Sequence, residues 1–89
     1  MSSAPENIEI NFTPREQQLV VLLWEGYSYK MIAEQLHIAI GTVKTQINLL
    51  HVKTQTNNTG GVLRFAFLHG FNFDIIQQQV FYHGQLVVC

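Results

Sequence analysis

The sequence predicts an all-α fold made of four helices, followed by a short C-terminal extension. Two observations carry this prediction. Apolar residues recur at helical spacing through four successive segments, and capping or turn-forming residues separate those segments. The chain also has 89 residues, of which 47% are hydrophobic, and this size and composition are typical of one small globular domain.

The first helix is predicted to begin just after Thr13. Thr13 can cap the helix, Pro14 suits its first position, and Glu16 completes a capping box. Gly26 is placed to end it. The apolar face between these signals consists of Leu19, Leu22 and Leu23.

The second and third helices are predicted to be joined by a short turn. Ser28 can cap the second helix, which ends near Leu36, and the third is expected from about Ile40 to Thr54. Ile38, within the turn, is expected to plug the core. A short helix, a tight turn and a longer helix form a helix-turn-helix, which places its second helix in the DNA major groove.

A fourth helix is predicted from about Gly61 to His69. The tail beyond it leaves two structures open. Asn72 could cap a fifth helix. Alternatively, residues 80–82 and 86–88 form two strands that turn at His83-Gly84, and some strand character at the very end is favoured.

The predicted organisation has three segments. Residues 1–11 form an N-terminal arm, in which Ile8–Phe12 alternates apolar and polar residues and suits a short strand or an extended arm. Residues 12–71 form the helical domain. Residues 72–89 are the extension, with a role in oligomerisation as one interpretation.

The chain has a formal net charge of −1, but its charges are unevenly distributed. All five basic residues lie between Phe12 and Gly70, a segment with three acidic residues and a net charge of +2. Between Ile40 and Thr59 there are two lysines and no acidic residue. The third predicted helix is therefore locally positive, and we expect a weak, salt-dependent attraction to phosphate.

Several function classes are disfavoured. No apolar run approaches the ~20 residues that a membrane span needs. The single cysteine, Cys89, permits no intramolecular disulfide, which fits a reducing cytoplasm. The four histidines lack the spacing of metal ligands, and there is neither a catalytic triad nor a phosphate-binding glycine loop. We therefore expect no cofactor, no metal and no enzymatic activity.

Several short pieces, in a fixed order and spacing, carry a resemblance to a known domain: Thr13–Glu16, Glu25–Ser28, Lys30, Ile32-Ala33, Leu36, Ile38 and, above all, Gly41–Thr45. Over residues 12–71 the chain resembles the LuxR-type (GerE-like) DNA-binding domain, a four-helix helix-turn-helix module of bacterial regulators. Sigma-factor region 4 shares part of the pattern around Ser28–Lys44 and is a weaker resemblance.

The resemblance implies that the third helix enters the major groove. Lys44 can donate to a phosphate or to guanine, and Gln46 can pair with adenine. Val43 could touch a thymine methyl group, although its place in the apolar stripe makes a core position at least as good an interpretation. Lys30 and Lys53 would hold phosphates, or else be ordinary surface lysines. The predicted DNA-binding residues are Thr42, Lys44, Thr45, Gln46, Lys53 and Lys30.

The chain also departs from the family pattern. Gln46 stands where the family usually has His, Leu49 where it has Asn, and several later cations are missing. In the family the fourth helix commonly dimerises. Leu63, Phe67 and Phe71 could form the corresponding apolar stripe of a homodimer, unless the tail covers that stripe within the monomer.

The sequence therefore predicts a stand-alone DNA-binding transcriptional regulator, a homodimer of the bacterial cytoplasm that reads double-stranded DNA with residues 40–54. Met1 and the tail are expected to be natural ends. The alternative is a protein-interaction module of the same fold, which modulates another regulator and binds little DNA. The net charge and the apolar tail favour the alternative, whereas Gly41–Thr45 favours DNA binding.

Overall fold

The structure is a computed structural model and describes residues 10–89. It contains four helices, α1 (Pro14–Trp24), α2 (Tyr29–Leu36), α3 (Ile40–Thr54) and α4 (Thr59–Leu68), and three strands, β1 (Phe71–Asp74), β2 (Gln79–Tyr82) and β3 (Gln85–Leu86).

The four predicted helices are confirmed, but the prediction of an all-α fold is wrong. The tail after α4 forms a three-stranded antiparallel sheet in the order β1-β2-β3. The helices pack on one another and on the sheet, since α4 contacts α1, α3 and β1. Residues 8 and 9 of the predicted strand or arm at Ile8–Phe12 lie outside the described residues, and residues 10–12 belong to neither a helix nor a strand.

Side chains cap three of the helices. At α1 the predicted capping box is present, because the Glu16 N–H donates to Thr13 Oγ1 (3.2 Å) and the Thr13 N–H donates to Glu16 Oε1 (2.8 Å). Ser28 Oγ accepts from the Met31 N–H at the start of α2. Asn58 Oδ1 accepts from the Gly61 N–H (2.7 Å), so α4 begins at Thr59 rather than at Gly61.

The core joins all four helices to the sheet. Phe12 lies in an aromatic cluster, with its ring centroid 5.0 Å from that of Phe71 and 5.7 Å from that of Tyr82. The Phe12 N–H donates to Tyr82 Oη (3.0 Å), a contact that spans 70 positions of sequence. The largest fully buried side chains are Leu19, Leu22, Ile32, Ile47, Leu50, Val20, Val43, Val62 and Val80.

The tail forms the hairpin of β1 and β2, and the alternative of a fifth helix capped by Asn72 is wrong. Phe71 pairs with Tyr82 and Phe73 with Val80, so alternate residues of both strands turn towards the helices. The strand interpretation of the tail is therefore the correct one, although the final strand is shorter than predicted and covers Gln85–Leu86.

Gly70 lies between α4 and β1, at a position where a larger residue would not fit. Its φ is +109°, and a Cβ atom there would lie 2.6 Å from Cε1 of His83. The His83 N–H donates to the Gly70 carbonyl (3.0 Å), so the hairpin returns directly over the glycine. The predicted turn at His83-Gly84 is present, with φ of 50° and 82° at the two residues.

Candidate nucleic-acid interface

The turn between α2 and α3 sets the position of the candidate recognition helix. His37 ends α2 in the left-handed conformation, with φ of 58°. The Ile38 N–H then donates to the Ala33 carbonyl (3.0 Å), and the Ile38 side chain packs against the core as predicted. Because α2 also packs along α3, the two helices form one unit that presents α3 to the surface.

One face of α3 is in the core, and the opposite face is exposed. Val43, Ile47, Leu50 and Thr54 are buried. Val43 is completely buried, so the structure contradicts its interpretation as a contact to a thymine methyl group. The exposed face contains Gly41, Thr42, Lys44, Thr45, Asn48, Leu49 and Val52.

The start of α3 lacks a side-chain cap, because Ala39 occupies the N-cap position. The N–H groups of Thr42 and Val43 both donate to the Ala39 carbonyl. This leaves the N–H groups of Ile40 and Gly41 without a partner inside the helix, since the first turn of any helix has unpaired donors. Such donors, together with the positive end of the helix dipole, suit a phosphate oxygen.

Among the predicted DNA-binding residues, Thr42, Lys44 and Thr45 lie together on the exposed face of α3, close to its uncapped start. Thr45 donates its hydroxyl to the Gly41 carbonyl (3.1 Å), which leaves the oxygen able to accept a further hydrogen bond. Lys30 is exposed on α2, the helix packed against α3.

The Lys53 side chain forms hydrogen bonds and an ion pair with other residues of the chain. Its Nζ atom lies 2.7 Å from Glu16 Oε1 and donates to the Asn11 carbonyl (2.6 Å). It also lies 5.6 Å from the centroid of the Phe12 ring. These partners were not predicted, and they occupy a cation that the sequence suggested for phosphate binding.

The electrostatics of Glu16 reflect this ion pair. Burial by itself raises the pKa of the Glu16 carboxyl. Hydrogen bonds from Lys53 and from the Thr13 backbone, with the charge of Lys53, outweigh burial and hold that pKa below its usual range. Glu16 is therefore the anionic partner that neutralises Lys53 near neutral pH.

Gln46 and Asn48 have opposite environments. Gln46 is half-buried, and its Oε1 atom is enclosed without a hydrogen-bond partner among residues 10–89. Asn48 is exposed, three positions after Thr45 on the same side of the helix. Sequence reasoning missed Asn48, although its placement opposite the stripe of Val43, Ile47 and Leu50 was a usable signal.

The residues predicted to form the dimer contact differ in their exposure to solvent. Phe71 is 3% exposed and belongs to the core of the monomer, so its assignment to an exposed stripe is wrong. Leu63 is half-buried against the same core. Phe67 is 63% exposed and stands beside the exposed Leu68. The hairpin thus covers part of the stripe, as the alternative interpretation expected.

Other kinds of site have little support in the described part of the chain. Within residues 10–89 no group of three or more His, Cys, Asp or Glu side chains could hold a metal ion. No helix among these residues is long and apolar enough to cross a membrane.

Comparison with protein families agrees with this geometry. A family model described as "Sigma-70, region 4" matches residues 13–49, which contain α1, α2 and the first part of α3. Sigma-factor region 4 is the weaker of the two resemblances found in the sequence. The residues matched by the family model extend beyond Ser28–Lys44 on both sides.

Three similar proteins illustrate the curated relatives. The probable transcriptional regulator ycf29 of Cyanophora paradoxa is 42% identical over 60 residues, which are 67% of this chain and 29% of that protein. Response regulator Rre1 of Synechocystis sp. is 38% identical over 68 residues, 76% of this chain and 29% of Rre1. Response regulator protein VraR of Staphylococcus aureus is 35% identical over 57 residues, 64% of this chain and 27% of VraR.

The alignments cover less than a third of the length of these relatives. No solved structure is significantly similar to this chain. The family model and the relatives together support a helix-turn-helix DNA-binding domain in the part of the chain that contains α2, the turn and α3.

Proposed function

We propose that this chain is the DNA-binding part of a transcriptional regulator and inserts α3 into the major groove. The observation that carries the proposal is the combination of an uncapped start of α3 with Thr42, Lys44, Thr45 and Asn48 on one exposed face. Free backbone donors and a lysine suit phosphate, and hydroxyl and amide side chains suit base edges.

Some of the exposed residues would contact phosphates and so position the domain on DNA, and others would contact base edges. The N–H groups of Ile40 and Gly41 take one phosphate, and Lys30 takes another from the side of α2. Lys44 reaches either a phosphate or the N7 and O6 atoms of guanine, and Asn48 offers an amide that matches adenine N6 and N7.

Two of the residues predicted to bind DNA, Lys53 and Gln46, are not primary DNA contacts in this proposal. Lys53 orients α3 through Glu16 instead of neutralising a phosphate, because its ammonium group already has two oxygen partners. Gln46 reads a base only if its buried amide oxygen rotates outward on binding.

The finer assignment is to a LuxR-type domain of a bacterial, cytoplasmic regulator that acts as a homodimer. The sequence pieces that resemble the family support the LuxR-type assignment, and the similarity to a transcriptional regulator and a response regulator supports the regulatory role. We place the dimer contact at Phe67 and Leu68, which are the exposed large apolar residues of α4, with the half-buried Leu63 at its edge. That the chain works as a stand-alone regulator belongs to the same proposal.

A salt titration of binding to a duplex of random sequence tests the DNA interface. We expect binding at about 50 mM salt that weakens steeply as the salt concentration rises. Lys44→Ala should reduce the slope of log affinity against log salt by about 1, as should Lys30→Ala. Lys53→Ala is the internal comparison and should change the slope less, because Lys53 is already neutralised by Glu16.

Two results would contradict the proposal. One is a folded wild-type chain that binds no duplex at about 50 mM salt. The other is a Lys44→Ala variant that binds with the wild-type slope. Circular dichroism of each variant separates loss of binding from loss of folding.

A protein-interaction module that modulates another regulator remains the second candidate. Leu49 and Val52 favour it, because they are exposed apolar residues one turn apart on the outward face of α3. A folded chain without DNA affinity would support this candidate. In contrast, if Leu49→Asn raises DNA affinity without changing the salt slope, α3 faces DNA at that position.

A further inference from the structure

A shallow groove runs between the end of α1 and the loop that joins β1 to β2. It has a volume of about 460 Å³ and is lined by Trp24, Glu25, Tyr27, Ile75 and Gln78. A second groove of about 360 Å³ shares Glu25, Tyr27 and Gln78 with the first and continues to β3 and the C-terminal residues. The two adjoin at these shared residues, and we call them together the hairpin groove.

One end of the hairpin groove is apolar and exposed. The rings of Trp24 and Tyr27 and the side chain of Ile75 form its walls. Ile75 is 76% exposed, and the adjacent Ile76 is 93% exposed at the tip of the loop. Two neighbouring isoleucines that are exposed to solvent beside two aromatic rings are typical of a surface that a partner covers.

Glu25 is the one charged side chain among the described residues that line the groove. Glu25 lines both halves, and the ion pair found among residues 10–89 joins Lys53 to Glu16 instead. Asp74 stands at the base of the loop, where its Oδ1 accepts from the N–H groups of Ile76 and Gln77. The segment 65–89 contains no lysine or arginine, and neither half of the groove is lined by one. A complementary partner is therefore basic.

The polar walls of the groove suit a peptide backbone. The second half is flanked by Gln35, Gln78 and Gln79. Each side-chain amide can both donate and accept hydrogen bonds, which is what the N–H and C=O groups of an extended chain require. These amides favour a ligand with accessible backbone N–H and C=O groups, which an extended segment provides.

We propose that the hairpin groove binds an extended segment of a partner protein that carries a lysine or arginine next to a bulky apolar residue. The apolar side chain inserts between Trp24, Tyr27 and Ile75, and the cation pairs with Glu25. No residue of α3 lines the groove, so it can be occupied while α3 contacts DNA, and the inference does not rest on DNA binding.

The test uses the fluorescence of Trp24, which is the single tryptophan of the chain. The probes are nine-residue synthetic peptides with Arg-Leu, Lys-Phe or Lys-Ile at the centre, each matched by a peptide with Glu in place of the basic residue. We expect the basic peptides to change Trp24 emission saturably and the acidic peptides to leave it unchanged. Glu25→Lys and Ile75→Asp should each weaken binding by about tenfold or more, the equivalent of at least 1.4 kcal/mol.

Glu34→Lys is the matched control, because it makes the same charge reversal on an exposed residue of α2 outside the groove. The proposal is overturned if no basic peptide changes Trp24 emission, if the acidic peptides bind equally, or if Glu34→Lys weakens binding as much as Glu25→Lys. A concentration-dependent change in Trp24 emission without peptide, accompanied by a doubled mass in light scattering, would assign the groove to a second copy of the chain instead. DNA binding by Glu25→Gln, measured in parallel, reports separately on the proposed DNA interface.

Discussion

The ammonium group of Lys53 lies 2.7 Å from the carboxylate of Glu16 and joins the end of α3 to the first turn of α1. The same carboxylate oxygen accepts from the Thr13 N–H in the capping box. Lys53 also holds the carbonyl of Asn11, so the chain entering α1 is bound to the helix proposed to read DNA. The pair therefore orients α3 relative to the rest of the domain.

The stability of the domain should depend on pH through Glu16. Its pKa is lower in the folded protein than in the unfolded chain, so near that pKa the unfolded chain binds more protons. This contribution is complete above the unfolded value of about 4.3 and is lost as the pH falls through the folded pKa. Urea unfolding between neutral and acidic pH should show a steeper acid loss for wild type than for Glu16→Gln.

Glu34→Gln is the control for this pH dependence, because Glu34 is exposed on α2 and does not take part in the ion pair with Lys53. It should keep the wild-type dependence on pH. Parallel curves for wild type and Glu16→Gln would show that the Lys53–Glu16 pair does not couple folding to protons.

Tyr82→Phe should destabilise the fold by about 1 to 3 kcal/mol, because it leaves the buried N–H of Phe12 without an acceptor. The aromatic packing of the ring against Phe71 and Phe12 is retained in this variant. Tyr29→Phe is the matched control, since the Tyr29 hydroxyl has no hydrogen-bond partner among residues 10–89. Equal midpoints of urea unfolding for the two variants would refute this role of Tyr82.

Gly70→Ala should cost about 1 to 3 kcal/mol of unfolding free energy, because alanine is strained at a φ of +109°. The new methyl group would also displace the His83 ring from Tyr82, where the ring centroids are 4.1 Å apart. Gly84→Ala separates the two effects, since Gly84 has a positive φ but open space around it. The measured loss of stability should be larger at Gly70, and a larger loss at Gly84 would contradict the close approach of His83.

Phe67 and Phe71 should respond differently to substitution. Phe67→Asp should convert the proposed homodimer into a monomer in light scattering while leaving the unfolding free energy of the monomer within about 0.5 kcal/mol, because Phe67 is exposed. Phe71→Ala should cost about 3 to 5 kcal/mol, because Phe71 packs in the core. An unchanged mass for Phe67→Asp would remove α4 from the proposed interface.

The helices could be predicted from the sequence because their signals are local. The capping box at Thr13, the cap at Ser28 and the apolar stripe of α3 each involve residues within a few positions of one another. The predicted bounds of α3, Ile40 and Thr54, agree with the structure. The same periodicity could have identified Asn48 as an exposed residue of the interface.

Strand character around residues 80–82 and the turn at His83-Gly84 could be predicted, but the first strand of the tail and the partners of single side chains could not. Phe71 joins the core because Phe12 and Tyr82 close on it from distant parts of the sequence, and no local pattern distinguishes this position from an exposed stripe. Residues 72–89 fit a helix by their apolar spacing. They form strands because β1 and β2 pair and bury alternate side chains against the helices, a tertiary contact that the spacing of apolar residues in the tail does not specify.

The sequence by itself determined the four helices and the buried stripe of α3, because capping and helical periodicity act over a few residues. The tertiary structure alone decided that Lys53 pairs with Glu16, that Phe71 is internal and that β1 completes a three-stranded sheet with a groove beside it. These outcomes depend on which distant surfaces meet, and the free energy of such contacts appears only when the helices pack together.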